Sequence, residues 1–222
     1  MPTDAPFTWL DSNGWLVLSG RPDALSEIRA QALSRYDGSS AIAYISLARD
    51  LGDALMDDMA ELGAPAGYLV DLEEGDNNEI YERLSAAGMI VIEAEPDAEA
   101  LRSLMSQTVL SALKSALDRG ALILFEGAAA SIAGERELTA AGELAAGINF
   151  VHNALISPSA DNHTEDELLR TVHCALPDIS IMGLAPGSAL ALGPARQIET
   201  WGDGDVTISL GDPARPERYK NH

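Results

Sequence analysis

The sequence is poor in cysteine, lysine and long apolar runs, and each shortage excludes a class of protein. Its 222 residues include one cysteine, Cys174, so no disulfide can form within the chain. No apolar segment approaches the roughly 20 residues that cross a bilayer. The first nine residues lack the basic start and apolar centre of a signal peptide. We therefore expect a cytoplasmic protein that does not act within a membrane.

Basic residues are also scarce. The chain carries 14 basic residues, only two of them lysines (Lys114 and Lys220), against 35 acidic ones, which gives a net charge of −21. A surface of that sign repels phosphate backbones and anionic lipids, so we expect neither nucleic acid nor membrane as a partner. An ordinary acidic surface, a cationic partner and adaptation to high salt all remain open.

Apolar runs alternate with helical patterns through the first 126 residues, which predicts βαβ units and a parallel sheet. Helices are expected over 24–34, 51–62, 79–86 and 97–119, the last ending at Gly120. The predicted strands are Trp15–Leu18, Ala41–Ser46, Gly67–Leu72, Met89–Ile92 and Leu122–Phe125.

The pattern changes after about residue 150. A strand over 151–156 and a helix over 165–176 precede four short apolar segments, 179–184, 188–192, 197–200 and 205–210. Short turns link these segments, which predicts an antiparallel extension at the C-terminal end. No internal repeat or low-complexity linker divides the chain, so we expect one domain over 1–222.

The stretch Ala121–Gly134 has the outline of a nucleophile elbow, in which a strand leads through a sharp turn into a helix. Such a turn needs small neighbours, and the backbone N–H groups after it can stabilise an oxyanion. Without a gap, the tip falls on Ala129. Alanine has neither a hydroxyl nor a thiol, so this residue cannot attack a carbonyl.

The order of segments over about residues 14–212 resembles the cyanophycinase and dipeptidase E family of serine peptidases. That family has a class I glutamine amidotransferase-like fold. The resemblance implies a three-layer α/β/α sandwich with a mainly parallel sheet and an antiparallel C-terminal extension. The segments that carry it are Gly14–Gly20, Glu93–Asp97, Glu126–Ile132, Gly147–Ser159, Gly183–Leu190 and Ile198–Val206.

The positions that carry the family's chemistry differ in this chain. The nucleophile falls on Ala129, the Asp-Gln-His segment on Ser157, Pro158 and Ser159, and an acidic pair on Ala185 and Pro186. A serine peptidase needs a nucleophile, a base and a group that orients the base. The resemblance therefore implies a catalytically inactive homologue, retained as a binding or assembly protein.

A binding role implies a peptide-like small ligand and no cofactor, and it is compatible with a homo-oligomer. Glu126 is of interest because it replaces a glycine at the mouth of the elbow, where a carboxylate opposes an oxyanion or binds a cation. The residues expected to bind the ligand are Glu126, Gly127, Ala129, Ser131 and Ser159.

An active serine hydrolase is the alternative. In a lengthened turn Ser131 could be the nucleophile, with His163 as its base and Asp161 beside it, acting on acidic or β-linked peptides. The same residues also fit ordinary roles at helix starts, so both interpretations stay open. The histidines, about ten residues apart, lack the spacing of zinc motifs, and we expect no metal.

Overall fold

The computed structural model describes residues 5–22, 27–95, 97–158, 171–172 and 174–211. Its main sheet has seven strands, and the five that lie before residue 127 run parallel. They are β2 (Trp15–Ser19), β3 (Ile42–Ile45), β4 (Gly67–Leu69), β5 (Met89–Glu93) and β6 (Leu122–Glu126), joined by β11 (Ser188–Leu192) and β12 (Ile198–Gly202). The spatial order is β12-β11-β2-β6-β5-β3-β4, and β11 and β12 are antiparallel to their neighbours. The predicted mainly parallel α/β class is confirmed.

A second sheet, which the sequence did not predict, accompanies the antiparallel C-terminal extension that β11 and β12 form on the main sheet. Its strands are β1 (Thr8–Trp9), β7 (Gly134–Leu138), β8 (Leu144–Ala146), β9 (Val151–Ser157), β10 (Ser180–Leu184) and β13 (Val206–Ser209). β10 pairs in parallel with β9 and antiparallel with β13, whereas β11 and β12 extend the main sheet. The consecutive C-terminal strands therefore divide between two sheets, because each pairs with a strand from earlier in the chain.

Helices flank the main sheet. They are α1 (Glu27–Arg35), α2 (Arg49–Glu61), α3 (Asn77–Ala86), α4 (Ala98–Leu104), α5 (Gln107–Asp118) and α6 (Ala128–Ser131). The prediction of a single helix over 97–119 is wrong, because the helix is interrupted between α4 and α5. Ser106 caps the second helix, its hydroxyl accepting a hydrogen bond from the Val109 N–H at 3.3 Å. Among the described helices, none is both long and apolar enough to cross a membrane.

Alternate residues of the main sheet's central strands are buried on opposite faces. Ile123 and Phe125 belong to a core shared with α5, α6 and the second sheet, whereas Leu122 and Leu124 pack with α1 and α2. Both faces are apolar, as expected for parallel strands covered on each side. This alternation also decides which way the polar residues at the carboxyl ends of β5 and β6 point.

Candidate functional site

The elbow forms where β6 ends. Glu126 is still part of the strand ladder, opposite Glu93 of β5, and α6 begins at Ala128. Between them Gly127 has φ 54° and ψ −128°, a left-handed conformation that costs glycine little and other residues more. Its N–H donates to the carbonyl of Gly20 at 3.3 Å, which joins the turn to the end of β2.

The turn is therefore at Gly127, and the prediction that placed Ala129 at the tip is wrong. Ala129 is a buried residue within α6. The physical reason is the backbone: the sharp change of direction requires a positive φ, and glycine is the residue in this stretch that adopts it cheaply. Like alanine, glycine provides no nucleophilic atom at the tip.

A carboxylate lies over the turn. A Cβ added to Gly127 would lie 2.8 Å from Oε1 of Glu95, closer than real Cβ atoms come to other heavy atoms. Glu95 also forms a long ion pair with the exposed Arg21, with 3.7 Å between Oε1 and Nε. The side chain of Glu95 thus occupies the space into which a side chain at the tip would project.

Glu126 does not face the mouth of the elbow, so that prediction is also wrong. It points to the same face as Leu122 and Leu124, and only 1% of its side chain is exposed. There Arg29 of α1 holds both of its oxygens: Nη2 donates to Oε2 at 2.8 Å, and Nε lies 3.0 and 3.1 Å from Oε1 and Oε2. Glu126 is a buried partner of an arginine and is not open to a ligand.

A second carboxylate lies beside this pair. Glu93 is the register neighbour of Glu126 and follows the face of Met89 and Val91. Burial and then the charge of Glu126 raise its pKa above the usual value, while Arg29 opposes the rise. Burial tends to lower the pKa of Arg29, but Glu126, with Asp58 and Glu93, more than offsets it, so this pKa is raised. Nη1 of Arg29 also reaches Oδ2 of Asp58 at 3.0 Å.

The sequence prediction missed Arg29 and Glu95. Arg29 lies 97 positions from Glu126, so no local pattern links the two. A signal for Glu95 was present, because Glu93 and Glu95 follow an apolar strand, and the carboxyl ends of parallel strands meet at one edge. That edge also holds a cavity of about 410 Å³ at the ends of β3 and β4.

The other predicted site residues are spread over the fold. Ser131 ends α6, and its hydroxyl donates to the carbonyl of Ala128 at 2.9 Å. Ser157 ends β9 and pairs with Gly183 of the second sheet. Ala185 and Pro186 lie in the turn before β11, and the Ala185 carbonyl is packed against Gly20. Ser159, Asp161 and His163 lie outside the described residues.

Metal ligands are not assembled in the described part of the chain, where no group of three or more histidine, cysteine or acidic side chains is arranged to hold an ion. The three glutamates near the elbow are instead distributed between two environments. Glu93 and Glu126 lie with Arg29 on the α1 side of the sheet, and Glu95 lies over the turn with Arg21. Of the three, Glu95 alone places negative charge over the turn.

Two solved structures with similar folds are described as a peptidase and a putative peptidase. A peptidase from an acI-B1 Actinobacterium is 16% identical, with a TM-score of 0.73 over 91% of this chain and 94% of that one. A putative peptidase E protein from Listeria monocytogenes EGD-e is 13% identical, with a TM-score of 0.63 over 85% of this chain and 98% of that one. No family model and no curated protein matches the sequence. The chain therefore has a peptidase E-like, class I glutamine amidotransferase-like fold.

Proposed function

We propose that this protein has a peptidase fold without serine-peptidase activity, and that it binds a cationic, peptide-like ligand at the carboxyl edge of the main sheet. The observation that carries the proposal is the turn itself. Gly127 offers no side chain, and the carboxylate of Glu95 lies where one would project. A covalent acyl intermediate needs a nucleophile and a base within hydrogen-bond reach, and the turn supplies no nucleophile.

Ser131 is poorly placed to replace the missing nucleophile. Ser131 lies four residues after Gly127 and is buried, and its hydroxyl hydrogen is directed to the carbonyl of Ala128. Activation as a nucleophile would require that hydrogen to face a base instead. The contact is the back-bond that serine commonly forms within a helix.

The charge at this edge favours a cation. Glu95 lies over the turn, and further along the same edge the cavity at the ends of β3 and β4 is lined by Asp71, Glu73 and Glu74 with Arg49 as its basic residue. Ligands of open α/β folds commonly bind at the carboxyl ends of the strands. An ammonium or guanidinium group of a peptide would be attracted there, whereas a carboxylate would be repelled.

The loss of activity is tested with a fluorophosphonate probe followed by intact mass measurement. We expect no adduct on the wild-type chain under conditions that fully label an active serine peptidase. The Ser131→Ala variant is the matched control. A stoichiometric adduct on the wild type that is absent from Ser131→Ala would establish the hydrolase interpretation and overturn the proposal.

The binding role is tested separately by calorimetry with an arginine-containing dipeptide and its citrulline analogue, which has the same shape without the charge. Loss of one charge contact of about 1.4 kcal/mol weakens binding about tenfold. We expect that difference between the two peptides, and a similar loss for the Glu95→Gln variant with the arginine peptide. Equal affinity for both peptides would contradict a cation site, whatever the labelling result.

A further inference from the structure

Among the described residues, β12 is an edge strand of the main sheet, and its one charged side chain, Glu199, is paired with Arg35 of α1. It pairs with β11 on one side, and the described residues place no strand on the other. Exposed edge strands are usually protected by lysine, proline, a bulge or a covering element. Ile198–Gly202 contains neither lysine nor proline, and the side chains of Ile198 and Thr200 are exposed.

The direction of the backbone groups can be worked out from two hydrogen bonds. Gly20 N–H donates to Ser188 O, and Gly193 N–H donates to Gln197 O, so alternate residues of β11 bond to β2 and to β12. In an antiparallel ladder the bonded pairs recur every second residue. Glu199 and Trp201 therefore bond to β11. Ile198 and Thr200 direct their N–H and C=O groups away from the sheet.

This outward edge is complementary to itself. In an antiparallel pairing centred on Thr200, a second copy would place Thr200 opposite Thr200 and Ile198 beside Gly202, where a φ of 78° ends the extended backbone. Threonine pairs are favourable across strands, and a glycine leaves room for the isoleucine. Ile198 is 47% exposed, so contact with a neighbouring strand would remove apolar surface from water.

The charges at the two ends of the strand favour the same pairing. Arg196 comes just before β12, with its guanidinium 5.4 Å from the ring of Trp9, and Asp203 and Asp205 follow the strand. Antiparallel association brings the arginine end of each copy to the aspartate end of the other. A chain with a net charge of −21 repels its own copies over most of its surface, so a locally complementary edge favours one arrangement.

We propose that two copies of this chain associate through β12, in antiparallel register about Thr200, and join their main sheets into one continuous sheet. The interaction has two-fold symmetry, as most homodimers do. A contact built around five residues from each copy is at the small end of specific interfaces, below about 1,200 Å² in total. The dimer should therefore dissociate on dilution into the low micromolar range.

Sedimentation velocity across about 1–300 µM protein tests the proposal, since weak complexes at the small end of interface sizes dissociate in this range. We expect the wild type to shift from monomer to dimer. Thr200→Lys places like charges directly opposite each other at the symmetry axis and should raise the dissociation constant at least about tenfold. Thr200→Val, which keeps a β-branched side chain, should retain the dimer.

Two further variants separate this edge from other modes of association. Ile208→Lys changes an exposed residue of the second sheet's edge strand β13 and should leave the dimer intact. Arg196→Asp should weaken the dimer, and adding Asp203→Arg should recover most of the affinity. A wild type that stays monomeric at every concentration, or a dimer that survives Thr200→Lys but is lost in Ile208→Lys, would overturn the proposal.

Discussion

Removal of the Arg29 guanidinium is the sharpest test of how the elbow is held in place. In Arg29→Met the buried carboxylate of Glu126 loses three close nitrogen–oxygen contacts, and Glu93 beside it loses its opposing charge. Both side chains of the pair are nearly inaccessible, with 7% and 1% exposed. Breaking such a pair by removing one partner costs about 3–5 kcal/mol.

That loss is a large share of the total free energy of unfolding, which is only about 5–15 kcal/mol for native proteins. Urea unfolding monitored by circular dichroism measures this loss of stability directly. Arg21→Met is the matched control, since it removes an arginine whose side chain is 63% exposed and whose ion pair with Glu95 is long. The control should lose under about 1 kcal/mol, as exposed ion pairs do.

The size of the effect should depend on pH. Burial and Glu126 raise the pKa of Glu93, and Arg29 opposes that rise, so the substitution raises this pKa further. A carboxyl group with a raised folded-state pKa destabilises the fold above that pKa and ceases to do so once it is protonated. The difference in unfolding free energy between wild type and Arg29→Met should therefore be largest near pH 8 and smaller near pH 5.

The double variant Arg29→Met/Glu126→Leu completes the cycle. Replacing both members of a buried ion pair by apolar residues is often neutral, so it should recover most of the stability that the single variant loses. Equal stability losses in Arg29→Met and Arg21→Met, or no recovery in the double variant, would refute the view that a buried charge pair stabilises this end of the sheet.

Three further predictions concern strained or buried residues. Gly127→Ala should cost about 1–3 kcal/mol from backbone strain plus the contact with Glu95. Adding Glu95→Ala to Gly127→Ala removes the contacting carboxylate and leaves the strain, and an unchanged loss in urea unfolding would argue against the contact. Ala195→Gly should raise stability by about 1 kcal/mol, because Ala195 has φ 53° in the turn before β12, and an unchanged or lower Tm would contradict this. Burial raises the pKa of Tyr44 to about 12, so the unfolded state loses this proton first and stability should fall as the pH rises from 10 to 12. Tyr44→Phe should flatten that fall in alkaline urea titrations, and an identical slope would show that Tyr44 does not contribute.

The strands of the main sheet could be predicted because they are buried on both faces. Leu122–Phe125 and Met89–Ile92 are uninterrupted apolar runs, and each became a strand at that position. The break between α4 and α5 was missed because the apolar periodicity continues across it, although Ser106 was present as a local cap signal. Periodicity reports which face is buried and gives no information on where a helix is interrupted.

The strand-turn-helix outline of the elbow was predicted, but its geometry was not. An apolar run followed by glycine and small residues was enough to place an elbow after β6. It was not enough to choose between Gly127 and Ala129, because that choice depends on a backbone angle. The contact between Arg29 and Glu126 joins residues far apart in sequence, and the packing of α1 on the sheet creates it. The predictions of one domain and of a peptide-like ligand remain predictions.

The backbone of Gly127 also sets how freely the end of β6 can be changed. A serine introduced at 127 would meet a strained backbone and the carboxylate of Glu95, but that carboxylate is the tip of a side chain that is 32% exposed and can rotate away. The strain cannot be relieved in this way, because it belongs to the main chain that joins β6 to α6. Position 127 should therefore tolerate far fewer residue types than position 95.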